Sequence, residues 1–247
     1  MQNTDNSLKR KYNFLFYYTI ISSSLFFVFI LSSFIAKENK ITADEITVKR
    51  VTVVGEDGTS PRVVISNETR QHSGRMDGKD VEPRKRDAGI IFFNNEGDEV
   101  GGLSFGVEKD KNTTDHAVYM TMDNHKNDQV IFLRNIENYE NGKATIDRGL
   151  EIREYPADAA PLMKFIEKIK QLDSIKDPKA REAGYAEYLE KNGARERLFI
   201  GRDANNDNGL FLYDAKGNPK MKLYVDNNGN PKIVVIDSTG KAKNIIQ

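Results

Sequence analysis

From Tyr12 to Ala36 the chain runs about 25 residues without one charged side chain, in a sequence that is otherwise strongly polar. As a helix this run reaches about 37 Å, enough to cross a hydrocarbon core of about 30 Å with some tilt. Everything after it is then confined to one side of a membrane. The run divides the chain into a short cytoplasmic tail at 1–11, a transmembrane helix at 12–36, a juxtamembrane linker at 37–45 and an extracytoplasmic domain at 46–247. Lys9, Arg10 and Lys11 precede the run, whereas Lys37 and Lys40 follow it among Glu38, Asp44 and Glu45. The positive-inside rule therefore places the N-terminus in the cytoplasm, with Tyr12, Tyr17 and Tyr18 at the headgroup level. The rival reading is a cleaved secretory signal. Its apolar region would exceed the usual length of about 7–15 residues, and cleavage after Ala36 would put bulky Phe34 where a small residue belongs.

Composition narrows what the exported part can be. Lys plus Arg and Asp plus Glu stand at 37 each, so no basic excess points to nucleic acid. The absence of cysteine rules out a disulfide framework and a thiol nucleophile. An exported domain of about 200 residues without disulfides must rely on core burial.

Short segments rich in Val, Ile, Phe and Tyr, punctuated by Asn, Asp, Gly and Pro, predict strands over most of this domain. They fall at 46–54, 62–66, 89–94, 102–105, 117–122, 129–133, 150–154, 198–200, 209–213, 221–225 and 232–236. Val118, Met120 and Met122 alternate with Tyr119 and Thr121, and Met221, Leu223 and Val225 with Lys222 and Tyr224. This alternation predicts a buried apolar face and a wet polar one. Asp214-Ala-Lys-Gly-Asn-Pro recurs as Asp226-Asn-Asn-Gly-Asn-Pro and, truncated, as Asp237-Ser-Thr-Gly. A period of 11–12 residues is one strand plus one tight turn, which makes a meander. The expected fold is mainly β, an antiparallel β-meander forming a sandwich or open barrel. A helical hairpin at 160–192 is inserted between strands, carrying Leu162, Phe165, Ile166, Ile169 and Leu172 at helical spacing.

Alternating oxygens at Asp203, Asn205 and Asp207, with Asp214 eleven residues after Asp203, are the strongest metal-like signal. Their spacing resembles a calcium-binding EF-hand loop. Asn208 occupies the place of the loop glycine, however, and Asp214 replaces the bidentate Glu. An Asx-rich hairpin turn with at most weak calcium affinity is the preferred reading. Glu96, Asp98 and Glu99 read as solvated residues of a hairpin tip, and Gly101 and Gly102 as a bulge or a close backbone approach. The stretch Arg70–Asp87 reads as a long, charged, solvated loop. His72, His116 and His125 lack any metal-ligand spacing, and no serine lies in a nucleophile elbow.

The segment Gly89-Ile-Ile-Phe-Phe-Asn-Asn-Glu-Gly-Asp98-Glu-Val-Gly-Gly-Leu-Ser-Phe105, following an N-terminal hydrophobic run, resembles a set of uncharacterised bacterial membrane-anchored proteins. The resemblance implies a bacterial envelope context and no activity. The sequence thus points to a non-catalytic, membrane-anchored envelope module that binds a partner protein, a glycan or a neighbouring copy of itself through its sheet. A membrane-tethered hydrolase or metal-dependent enzyme, its site assembled from distant strands, is the alternative.

Overall fold

The computed structural model describes residues 2–33 and 40–246, so the end of the apolar run at Ala36, the rival cleavage point and residues 37–39 of the 37–45 linker lie outside the described residues. The chain forms two compact units, Met1–Thr47 and Val48–Gln247. The first contains helix α1, Gln2–Ser33. Within it Asn6–Ser32 has a mean hydropathy of 2.1, and the segment is long and apolar enough to cross a membrane, as a signal sequence would also be.

The second unit is a meander of strands β1 (Arg50–Val54), β2 (Pro61–Ser66), β3 (Arg75–Met76), β4 (Lys79–Asp80), β5 (Ala88–Phe93), β6 (Glu99–Lys109), β7 (Thr113–Asp123), β8 (Gln129–Glu140), β9 (Lys143–Glu154), β10 (Arg195–Arg202), β11 (Asn208–Tyr213), β12 (Pro219–Val225), β13 (Pro231–Ile236) and β14 (Ala242–Asn244). Helices α2 (Leu162–Asp173) and α3 (Pro178–Asn192) stand between β9 and β10. They touch through the Phe165 and Tyr188 rings at 5.4 Å. Apart from the β3–β4 ribbon, all strands join one twelve-stranded antiparallel sheet in chain order, with β1 and β14 at its edges. The middle strands β6 to β9 run 11 or 12 residues, well beyond their apolar centres, because polar pairs such as Asn138 with Thr145 continue the ladder.

One turn geometry recurs and explains the short repeat. In the β11–β12 turn the Asp214 carboxylate accepts the N–H groups of Lys216 at 2.9 Å and Asn218 at 3.0 Å, while Gly217 takes φ 81°. Asp226 and Asp237 cap their turns in the same way, with Gly229 and Gly240 both at φ 84°. Asn94 does so for the turn before β6, accepting from Glu96 at 2.9 Å and Asp98 at 3.0 Å. The side chain supplies the acceptor and a residue at positive φ closes the turn.

Register defines the two faces. One line of directly opposed residues crosses the sheet as Val51, Ile65, Ile90, Leu103, Met120, Leu133, Leu150, Ile200, Leu210, Leu223 and Ile233. A parallel line runs Val53, Val63, Phe92, Gly101, Met122, Ile131, Ile152, Leu198, Leu212, Met221, Val235 and Lys243. Only Gly101 and Lys243 interrupt the apolar character of these two lines, whereas the next line on the same face, Phe105, Val118, Asn135, Arg148, Arg202, Asn208 and Val225, is mixed.

The alternation seen in the sequence is present, but its burial is the reverse of the expectation. Met120 is 42% exposed, Met122 49% and Leu133 55%, whereas Val64, Ile91, Phe93, Phe199 and Phe211 on the opposite face are buried. The cause is the covering layer. Arg70–Asp87, expected as a solvated loop, lies over the opposite face and carries the β3–β4 ribbon, with Met76 only 3% exposed. The polar character of that face is satisfied by pairing. Arg134 forks onto Asp147 with two bonds of 3.0 Å and also pairs with Glu151, which Arg153 bonds as well. Arg134 lies 5.1 Å from the centre of the Phe199 ring, in a stack that continues to Phe211 and Tyr224. Glycines make room for that stack. A Cβ on Gly149 would meet the Phe199 ring at 2.5 Å, and one on Gly209 would meet Tyr224 at 2.4 Å.

Candidate functional site

Two adjoining cavities lie on the covered face, where β5 to β8 meet the segment 70–87. The first, about 290 Å³, is lined by Gln71, Arg86, Glu99, Tyr119, Thr121 and Phe132, among others. The second, about 410 Å³, reaches Met76, Arg84, Asp123 and Asp128, and α2 supplies Leu162, Phe165 and Ile166. Glu99 and Gln129 line both. The bulge anticipated near Gly101 places Glu99 here, since the β5–β6 register shifts between Phe92 and Phe93. Gly101 and Gly102 also mark close approaches, because a Cβ on them would meet Thr121 O at 2.2 Å and Ile90 O at 2.3 Å.

Glu99 is held by Arg86 through a two-point fork of 2.9 and 2.8 Å. Such a pair fixes both side chains and leaves little of either charge for a ligand. Asp123, at the end of β7, has no comparable partner, and its Oδ1 accepts no hydrogen bond. Burial, reinforced by the Glu99 and Asp128 charges, pushes the Asp123 carboxyl up to about 7. Burial also raises Asp128, although the Gln129 N–H at 3.0 Å favours its charged form. Tyr155 is pushed up to about 12 by burial and by Asp128. The arrangement is a carboxyl that changes charge near neutrality beside a second acid, in a recess with an apolar helix wall. It can accept a hydrogen-bond donor or a proton. No histidine lines either cavity among the described residues. His72 packs against Phe93 at 5.0 Å and its Nδ1 accepts the Gly74 N–H at 3.0 Å, so burial lowers its pKa and its ring serves the covering segment.

The acidic tip expected to be solvated is instead a joint. Asp98 is 1% exposed and bonds both Lys126 and the Asp77 N–H, while Glu96 pairs with Lys126 at 3.0 Å. Asp98, Lys126 and Asp77 thereby pin the cover to two neighbouring turns of the sheet.

The calcium-like residues divide between the two ends of a strand. Asp203, Asn205 and Asp207 form the β10–β11 turn, where Asp203 Oδ1 accepts the N–H groups of Asn205 and Asp207, both at 2.9 Å. Asn206 takes the positive φ, 66°, that glycine takes in the sister turns. Asp214 begins the next turn, after β11 (Asn208–Tyr213). An antiparallel strand of that length carries it about 20 Å to the other end of the sheet, so Asp214 does not join the other three. Among the described residues no group of three or more His, Cys, Asp or Glu side chains is arranged to hold a metal ion.

Asp123, Asp128, Arg86 and Tyr155 escaped the reading of the sequence because they converge from three separate segments, the β7–β8 turn, the cover and the end of β9. The only linear sign is the position of Asp123 and Asp128 at either end of the turn joining two long strands. No protein-family model, curated protein or solved structure matches the chain.

Proposed function

We propose that the chain is a non-catalytic, membrane-anchored binding module. Helix α1 tethers it, with Lys9, Arg10 and Lys11 on the cytoplasmic side and the β-rich unit extracytoplasmic. The observation that carries this reading is the uncovered apolar face. Large exposed apolar patches on folded domains mark interaction sites, and these two lines span the sheet from β1 to β13. The Glu99, Asp98 and Glu151 charges on the other face are held in ion pairs, which favours structure over catalysis there.

Methionine footprinting tests the reading without knowledge of the partner. Met120, Met122 and Met221 lie on the bare face and Met76 beneath the cover. In native membranes all four should oxidise at least about tenfold more slowly than in the unfolded chain. Half-open side chains alone give only about a twofold difference, so rapid oxidation of the three bare-face methionines would sink the proposal.

A second reading, a membrane-tethered hydrolase, is favoured only by Asp123, whose raised pKa suits an acid or base at neutral pH. It requires a hydrolytic activity that Asp123→Asn removes and Leu133→Ser, on the opposite face, leaves intact.

A further inference from the structure

We propose that the occupant of the bare face is a second copy of this chain, the two sheets packing face to face as the halves of an intermolecular sandwich. This rests on the reading of the domain as a binding module. Three observations select a like partner.

The first is area. Fourteen large apolar side chains of this face, Val51 to Val235 in chain order, are each 37–55% exposed. Covering the open half of each removes roughly 400–800 Å² of apolar surface per copy, using transfer areas for apolar side chains of about 60–120 Å². A stable protein–protein interface takes about 800 Å² from each partner. About half or more of such an interface is apolar, so the face reaches the size a dimer needs and matches or exceeds the largest apolar patch of a typical monomer, about 300–600 Å².

The second is charge. Along the two central lines the only ionisable residue is Lys243, at the far edge on β14. These two lines hold nothing else to repel their own copy, and in the next line on this face Arg148 is already paired with Glu137 at 2.7 Å, which leaves Arg202 as the further charge at the margin. A lipid surface is a poorer match. Segments that lie on membranes carry a basic polar fringe and aromatic anchors, whereas beside Phe92 and Phe105 this face offers only Arg202 and Arg148, the latter neutralised by Glu137.

The third is geometry. Leu133 is the sixth of the eleven residues in its line and, at 55%, the most exposed on the sheet. A two-fold axis through the centre of the face passes close to it, and each Leu133 then packs beside its own copy. Two sheets stacked about 10 Å apart interdigitate their side chains in this manner. A common membrane tether would also raise the local concentration of copies, so that even a modest interface becomes occupied.

The test uses the full chain in native membranes with the photo-crosslinking residue p-benzoylphenylalanine in place of Leu133, and the same residue in place of Lys222 on the opposite face as control. A covalent dimer of the chain from position 133 and none from 222 is the expected result. An adduct between position 133 and a different protein overturns the dimer and leaves the binding-module reading standing. Lipid adducts alone, or none, overturn both. A second measurement guards against dimerisation through α1. In detergent micelles the full chain should be dimeric, and Leu133→Asp with Met120→Asp should weaken association at least about 100-fold while the β-type circular dichroism is unchanged. Dimers that persist with both substitutions would place the contact elsewhere and refute the proposal.

Discussion

Asp98 accepts the backbone N–H of Asp77 at 2.7 Å, across twenty-one residues of sequence, and so bolts the covering segment to the sheet. The same carboxylate bonds Lys126 from the neighbouring turn. The residue is 1% exposed and doubly used. We expect Asp98→Ala to cost about 1–3 kcal/mol, the penalty for leaving the Asp77 N–H without its acceptor, since Lys126 keeps Asp77 and Glu96 as partners. Urea unfolding of the protein in micelles measures it. A loss under about 0.5 kcal/mol would mean that the cover is not held here.

The glycine row on the covered face gives a second expectation. Gly201 has φ 154°, and a Cβ there would stand 2.0 Å from Arg148 O, a contact with backbone that cannot turn aside. Gly142, at the β8–β9 turn with φ 78°, has open space around it. Gly142→Ala should cost about 1 kcal/mol, the strain of positive φ alone. Gly201→Ala should cost at least about 3 kcal/mol or prevent folding, since strand backbones must separate to admit the methyl group. Equal costs at the two positions would contradict the close packing of β9 on β10.

The strands were legible because each is a short apolar run ended by a turn residue, and Asp214, Asp226 and Asp237 announce their turns in the sequence. Each of the eleven expected segments contains a strand, although β1 begins at Arg50 and leaves 46–49 outside it. The faces were only half legible. Alternation in β7 and β12 tells which residues share a side, but burial depends on which side the cover lies, and that is a property of segment 70–87. Its residues read as a solvated loop because Arg75, Arg84 and Arg86 are charged. Their charge is met by Asp80, by the Ser73 carbonyl and by Glu99, partners that no local pattern joins to them. Asp123 was illegible for the same reason. Its environment is made by Glu99 and Asp128 and by a helix some forty residues further on.

The Asp203 turn should be indifferent to calcium. Its best oxygen, Asp203 Oδ1, is committed to two N–H donors, which orient positive dipoles toward it. Asp214, the residue that would complete the loop, sits at the other end of β11. Melting the protein with 10 mM calcium and with chelator should give the same temperature, and Asp203→Ala should cost about 1 kcal/mol as a lost turn cap. A rise with calcium that both Asp203→Ala and Asp207→Ala abolish would restore the loop as a metal site.

Stability should fall as pH rises from about 5 to 8, and Asp123 is the reason. Its carboxyl moves from an ordinary 3.8 up to about 7, first through burial and then through the Glu99 and Asp128 charges. Between those two values the folded chain holds a proton that the unfolded chain has released. Unfolding therefore becomes easier with each step of pH, and the stabilisation, whole below pH 4, is gone above about 7. Asp128, raised in the same direction, adds to the slope. Below pH 4 the sign reverses, because Asp214 and Glu137, both lowered to about 2 by hydrogen bonds, lose their ionised partnerships. The optimum should accordingly lie near pH 4–5. Over the neutral window the loss from Asp123 is roughly 2–4 kcal/mol, an upper figure being three pKa units at 1.36 kcal/mol each. Asp123→Asn, which carries no charge at any pH, should flatten the slope and leave the variant more stable than the parent at pH 8. Urea midpoints in micelles at pH 5 and pH 8 decide it. A parent chain more stable at pH 8, or a slope that Asp123→Asn leaves unchanged, would show that the recess keeps this carboxylate charged and hydrated.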